Sequence, residues 1–369
     1  MRIVHFTSVH DRYDIRIFHK MCVSLAQFNY DVSLVVSDDL GDEVNRGVKI
    51  YSSGKPSSNR IFRMISGAFK TYQKANSISA DIYHFHDPEL IFFGLFMSLK
   101  GKKVIFDSHE DIPKDILDKD YISKLPRYII SFIFSVFEKV FFRFFAGVVS
   151  ATPSINKKFK KYVKKSVDIN NYPILSELID VQISNKNKRD EICFVGNISN
   201  IRGILEIMDA LSYLPGIKLN LAGSFADREY EEKVRTHPNW NLVNYYGQVD
   251  RLEVMAILER SKLGVVTYYP LANHMEAQPN KIFEYMSAGL PILASNFPLW
   301  KELVEENACG LCADPLSPKD LSDKIINLLS DELRLNKMGS QGVFLVKNRY
   351  NWDSESKKLI ELYNSILNS

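Results

Sequence analysis

Cysteine is scarce: four residues in 369 cannot build a disulfide framework, so the chain has to be held by a hydrophobic core. Net charge is almost absent as well. Forty-seven basic and 44 acidic side chains leave +3, and no strongly basic domain points to nucleic acid. The start, Met1-Arg2-Ile3-Val4-His5-Phe6, reads as a strand and lacks the apolar core and cleavage site of a signal peptide, which predicts a cytoplasmic protein. No short repeat or low-complexity tract interrupts the chain. A Gly-x-Gly-x-x-Gly turn is missing after the first strand, where Thr7-Ser8-Val9-His10 stand instead, and this argues against a dinucleotide-dependent dehydrogenase. Cys309-Gly310-Leu311-Cys312 has redox spacing, but Asp314-Pro315 follows where a helix N-terminus would be needed, so neither redox nor metal chemistry is assigned to it.

What is present is a globular composition, 46% apolar and 25% charged, at a length that suits two domains with a cleft between them. Short β-branched runs alternate with amphipathic stretches, the pattern of βαβ units and parallel sheets. Strands are expected at Ile3–Thr7, Val32–Val36, Ile82–Phe85, Val104–Asp107 and Gly147–Ser150, then at Ile192–Val195, Lys218–Ala222, Leu242–Tyr245, Leu263–Thr267 and Pro291–Ala294. Each half therefore reads as a doubly wound α/β domain: 1–170, a linker over 171–190 where periodicity is lost, and 191–352, with an amphipathic helix over 353–369 folding back on the first.

Ligands of such sheets sit past the carboxyl ends of the strands, so the residues there carry the functional reading. Asn280 is placed to cap a helix starting at Lys281, and Gly289 to end it. The free amides and positive dipole end of that helix favour a phosphate, and Lys281 adds a full charge. Glu284, a turn further in, offers two acceptor oxygens to the vicinal hydroxyls of a ribose, and Glu276, in the preceding loop, can accept from sugar hydroxyls.

The run Glu276-Ala-Gln-Pro-Asn-Lys-Ile-Phe-Glu284-Tyr-Met-Ser-Ala-Gly-Leu-Pro-Ile-Leu-Ala-Ser295 resembles the signature of family 4 retaining glycosyltransferases of polysaccharide assembly. The resemblance implies two facing Rossmann-like domains of the GT-B type, with the nucleotide sugar in the C-terminal one. It implies that Glu284 binds the nucleotide ribose, that Glu276 faces the transferred sugar, and that Pro279, Asn280, Lys281 and Ile282 cradle the diphosphate through main-chain amides. Gly196 lets the diphosphate approach the backbone, and Arg202 supplies a cation six positions on. Asn197 stands where relatives usually carry an arginine, so Lys281 takes part of that work. Gly223 and Gly247 end strands whose loops frame the base in similar enzymes.

In the first domain, Asp107-Ser-His109 is similar to the family's Asp-x-His, which implies that His109 contacts the transferred sugar. A structural histidine satisfied by Glu110 and Asp111 is the alternative. His10, Asp11, Arg12, Asp14, Arg16, His86 and Asp87 are candidates for acceptor recognition. His84 and His86 fall on one strand face with no third ligand in register, so no metal is assigned. Charge building on the leaving phosphate is stabilised by Arg202, Lys281 and helix amides, with a UDP- or GDP-sugar as donor and no cofactor.

The stretch 127–165 leaves two readings open. Arg127–Phe145 reads as one unusually apolar helix, with Phe132, Phe142 and Phe145 on its polar side. Lys157, Lys158, Lys160, Lys161, Lys164 and Lys165 follow, interleaved with Phe159 and Tyr162. Either this surface meets an anionic membrane and a lipid-linked glycan acceptor, such as one carried on polyprenyl diphosphate, or it is a core helix beside a solvated lysine face. A non-catalytic protein of the same fold that binds nucleotide sugar or a membrane surface is the competing function.

Overall fold

The computed structural model describes residues 1–54, 63–119, 122–175 and 189–368, so most of the expected linker, 176–188, lies outside the described residues. The chain divides into two compact units. The first is Met1–Asn171 with Trp352–Ser369, and the second is Tyr172–Asn351.

The first unit holds β1 (Arg2–Phe6), β2 (Asp31–Val36), β3 (Glu43–Asn45), β4 (Val48–Ser52), β5 (Ile82–Phe85), β6 (Val104–Ser108), β7 (Gly147–Ser150) and β8 (Ser166–Asp168) in the order β3-β4-β2-β1-β5-β6-β7-β8. All neighbours are parallel except β3 and β4, which pair antiparallel across Arg46-Gly47, both at positive φ. The chain starts in the middle, builds outward through β2 and β4, then crosses back to β5. That reversal places a crevice past Phe6 and Phe85.

The second unit holds β9 (Glu191–Val195), β10 (Lys218–Ala222), β11 (Val243–Gly247), β12 (Leu263–Val266), β13 (Ile292–Ser295) and β14 (Gly310–Ala313), all parallel, in the order β11-β10-β9-β12-β13-β14. This is the 3-2-1-4-5-6 arrangement of a doubly wound dinucleotide-binding sheet, with its switch point past Val195 and Val266. Strands are buried on both faces, as helix-covered parallel sheets require: Ile192, Cys193, Phe194, Leu263 and Val265 are all inaccessible.

The terminal helix, Trp352–Leu367, packs on the first unit. Trp352 Nε1 donates to Ser24 Oγ at 2.7 Å, and Glu355 accepts from the Asn170 amide at 2.7 Å.

One expectation about these elements needs correction. The segment over 127–145 is a helix at Lys124–Phe141 followed by a single turn at Phe142–Phe144, and it is turned inside out. Its buried residues are polar: Ser131 donates to the Pro113 carbonyl, and Glu138 pairs with Lys158 at 2.9 Å. Leu125, Tyr128, Ile129, Phe132, Ile133 and Val136 face outward, whereas Phe142, Phe145 and Phe159 belong to the core rather than to the surface. Of the six lysines, Lys158 is tied to Asp111 and Glu138 and Lys165 to the Ser365 carbonyl, which leaves Lys157, Lys160, Lys161 and Lys164 exposed. Burial beside Asp111, only partly offset by Lys158, pushes the Glu138 carboxyl up to about 7. Cys309 and Cys312 are buried. Both lie in or beside β14, and burial raises their thiols to about 12, so neither is a thiolate at neutral pH.

Candidate functional site

At the switch point of the second unit, β9 runs into Gly196, whose φ of +129° is one that side chains disfavour. A β-carbon there would come within 2.5 Å of Lys281 Nζ, so the bare backbone is what admits the ammonium group. Behind it, a β-carbon on Gly223, at φ +140°, would collide with the Gly196 carbonyl. After β9 a short turn, Asn200–Arg202, leads through Gly203 in the left-handed region to the helix Ile204–Leu211. Gly203 abuts the Thr267 backbone with no room for a side chain.

Arg202 and Lys281 meet on Tyr268, just past β12. The guanidinium carbon lies 3.8 Å above the ring centroid, and Lys281 Nζ lies 3.4 Å from the phenol oxygen. Tyr268 is itself locked, its carbonyl accepting from Ser295 Oγ at 2.8 Å. Among the described residues neither cation has a carboxylate within ion-pair distance. Partial burial and the adjacent Arg202 lower the Lys281 ammonium to about 8, against a smaller opposing pull from Glu284. Two positive charges held together without a counter-ion, beside a glycine loop at a switch point, make an anion site.

The helix behind it is Asn280–Ser287. Asn280 is its first residue rather than its cap, and Pro279 precedes it without a side-chain cap. Pro279 has no N–H, and the Ile282 amide donates to the Pro279 carbonyl, so the amides left for a phosphate are those of Asn280 and Lys281. Ile282 is buried in the core. Gly289 follows at φ +64°, as a helix stop does. Glu284 is exposed one turn in, on the face of Lys281. Glu276 ends a short helix, Ala272–Glu276, rather than lying in a loop, and is exposed. Asn197 is exposed beside Gly196, and the Gly247 carbonyl accepts from the Gly223 amide at 2.7 Å.

The crevice of the first unit is lined by histidine and aspartate. Asp87, past β5, is buried and gathers the loop after β1: Thr7 Oγ1 donates at 2.7 Å, the Ser8 and Val9 amides also donate, and His10 Nδ1 lies 2.7 Å away. Burial alone would lower the His10 imidazole, but the Asp87 hydrogen bond and charge outweigh it and raise its pKa. Asp107, at the end of β6, is inaccessible to solvent. Arg16 holds it with two bonds, at 2.9 and 2.8 Å, and His86 Nδ1 and His109 Nε2 approach its Oδ2 at 3.1 and 3.2 Å. Burial would raise Asp107, yet Arg16, His109 and His86 hold it well below the usual carboxylate range. His109 is partly exposed; its partner is Asp107, not Glu110 or Asp111.

These contacts revise the acceptor set. Arg12 is buried against Asp38 and Glu43, Asp14 caps the helix Ile15–Cys22 by accepting from the Arg16 and Ile17 amides, and Arg16, His86 and Asp87 are buried as above. Arg12, Arg16, His86 and Asp87 are thus buried and held within the unit, Asp14 is half-buried, and His10, Asp11 and His109 remain at the surface. A third histidine does stand in register, on the neighbouring strand: His5 on β1 lies opposite His84 on β5, and nitrogens of His5, His84 and His86 lie within 4.8 Å of one another. The sequence pattern along one strand could not show a ligand in register on another. Tyr268 and Thr267 also went unnoticed, although their place just past β12 at the switch point was a usable signal.

Burial lowers the pKa of His5, His84 and His86. Below about pH 6.5 the unfolded chain binds protons that these folded histidines refuse, so stability falls as pH drops from there toward their depressed folded values, by up to about 1.4 kcal/mol per pH unit for each. The opposite contribution of His10 is complete below about pH 6.5 and fades as pH rises through its raised value. The denaturant midpoint of the first unit should therefore drop between pH 7 and pH 5. A flat or rising midpoint there would contradict these assignments.

The chain resembles known sugar transferases in part of its sequence and in its fold. Residues 176–343, which carry Arg202, Lys281 and both glutamates, match the family described as glycosyl transferases group 1. An uncharacterized glycosyltransferase of Methanocaldococcus jannaschii is 22% identical over 219 residues, covering 58% of this chain and 55% of that protein. The spore coat protein SA of Bacillus subtilis is 23% identical over 186 residues, covering 47% and 48%. The matches thus span about half the length of these curated relatives. The fold is that of GT-B glycosyltransferases. Sucrose-phosphate synthase from Thermosynechococcus elongatus superposes with a TM-score of 0.76 at 15% identity, over 99% of this chain and 98% of that one. Anabaena HepE in complex with UDP-glucose gives 0.70 at 15% identity, over 99% and 100%.

Proposed function

We propose that the protein is a glycosyltransferase that takes a hexose or related sugar from a nucleotide diphosphate sugar and passes it, with retention and without a metal, to a carbohydrate or lipid-linked glycan in cell-surface polysaccharide synthesis. The observation that carries this reading is the uncompensated Arg202–Lys281 pair on Tyr268, beside Gly196 and the Asn280–Ser287 helix. A pyrophosphate supplies the missing negative charge, and Glu284 lies on the same helix face to receive ribose hydroxyls. As the bond to the leaving phosphate breaks, charge builds on its oxygens, and fixed cations and amides stabilise it without reorganising. HepE is described with UDP and with UDP-glucose, which makes UDP the first donor base to try.

A panel of UDP- and GDP-sugars in a thermal shift assay should give one or two stabilisers, with the shift lost in Glu284→Ala. If folded protein responds to none of them, the reading fails.

The outward apolar face of Lys124–Phe141, flanked by Lys157, Lys160, Lys161 and Lys164, supports peripheral attachment to the inner, anionic face of the cell membrane and a lipid-linked acceptor. Among the described residues no helix is long and apolar enough to cross a membrane. Each exposed lysine contributes about 1 kcal/mol near such a surface. Sedimentation with phosphatidylserine vesicles should weaken with salt and in Phe132→Ser/Ile133→Ser, and indifference to both would remove the membrane from the account.

A further inference from the structure

The buried histidines form one chain whose direction is fixed from one end. Asp107, bound by both arms of Arg16, is ionised and can only accept. His86 Nδ1 must then donate to it, at 3.1 Å. A neutral His86 has an accepting Nε2, so His5 Nδ1 must donate to that, at 2.9 Å. His5 Nε2 is then an acceptor, and the Tyr363 hydroxyl, 3.1 Å away on the terminal helix, must donate to it. The tyrosine oxygen in turn accepts from His84 Nδ1 at 2.6 Å. Counted this way, each imidazole is neutral with its single proton on Nδ1, and one lone pair is left over, on His84 Nε2. That atom is buried with no partner among the described residues. The reverse direction needs a charged His86 in the core and leaves a buried N–H without an acceptor at His84, two costs the first arrangement avoids.

We propose that Tyr363 is a positioning residue for the sugar-facing end of this chain: by donating to His5 Nε2 it holds His5 in the Nδ1–H form that a neutral His86 requires, and so leaves the negative charge of Asp107 for Arg16 and His109. The role of His109 toward sugar rests on the glycosyltransferase reading; the tautomer pattern does not. The terminal helix is thereby tied to the first unit's crevice by direction-specific hydrogen bonds as well as by packing. In Tyr363→Phe, His5 Nε2 loses its donor and His84 Nδ1 its acceptor. Nothing then holds His5 in the Nδ1–H form from that end, and the His5–His86 hydrogen bond loses its fixed direction there.

The test is long-range proton–nitrogen NMR on the full chain with nitrogen-15 histidine. Wild-type protein at pH 7.5 should show His5, His84 and His86 neutral and protonated on Nδ1. Tyr363→Phe should move the His5 and His86 nitrogens, and where sugar transfer is measurable it should lower kcat with donor KM unchanged. A wild-type His86 protonated on Nε2, or His5 and His86 nitrogens unmoved in a folded variant, overturns the proposal. The wild-type spectrum decides even if the variant does not fold. Loss of the sugar-transfer reading would show instead as wild-type protein with the expected tautomers and no turnover of any donor.

Discussion

Lys281→Met should weaken UDP binding by about 10- to 150-fold, the equivalent of one charge-assisted hydrogen bond worth about 1.5–3 kcal/mol. The size follows from how the ammonium is held. Lys281 sits against Gly196 and Tyr268 with Arg202 beside it, and no carboxylate among the described residues shares its charge. Burial and Arg202 already lower it to about 8 in the free protein. A bound pyrophosphate favours the charged form, so binding takes up a proton when pH is near or above that value. Wild-type affinity should therefore decline as pH rises past about 8, and the decline should be absent from Lys281→Met. Calorimetry in two buffers of different ionisation enthalpy at pH 8 reads both effects. Equal affinities for the two proteins would place the phosphate elsewhere.

Asp107→Asn should cost about 3–5 kcal/mol of stability in the first unit, the penalty for leaving a buried guanidinium without its carboxylate. Arg16 is buried, and among the described residues it reaches, besides Asp107, only the Ile169 carbonyl. A unit of this size loses roughly 2–4 °C per kcal/mol, so a fall of about 10 °C in Tm is expected. The amide also presents an N–H to donors that need an acceptor, so His86 and His109 lose their orientation together. A variant with Tm within 2–3 °C of wild type, on the same scale, would show that Arg16 finds another partner and that Asp107 is not the anchor of the crevice.

Parallel strands buried on both faces announce themselves as apolar, β-branched runs, which is why β1, β2, β5, β6, β7, β9, β10, β12 and β13 are legible, whereas β11, an edge strand with no buried residue, is read from its place before a glycine. The short strands were not. β3 and β8 have three residues each and no buried ones, and β14 hides in a run that carries two cysteines and a glycine. The cationic helix start and its glutamates follow from local spacing on one segment, and so could be read. Tyr268 offers only its place just past β12 as a signal, because what makes it matter is Arg202 arriving from the loop after another strand. The same limit hid the histidine chain: His5 and Tyr363 are 358 positions apart and meet only when the terminal helix folds back. Charge pairing misled in the other direction. Arg12 and Arg16 look like free cations after a strand, and their partners at Asp38 and Asp107 become visible only in three dimensions.

The central claim is that a nucleotide diphosphate occupies the β9/β12 switch point. A crystal structure of the protein grown with UDP tests it most directly. The account predicts both phosphates against Lys281, Arg202 and the Asn280 and Lys281 amides, with the ribose hydroxyls on Glu284. UDP bound away from these residues, or no UDP in folded protein at millimolar concentration, about the weakest affinity worth the name, would contradict it.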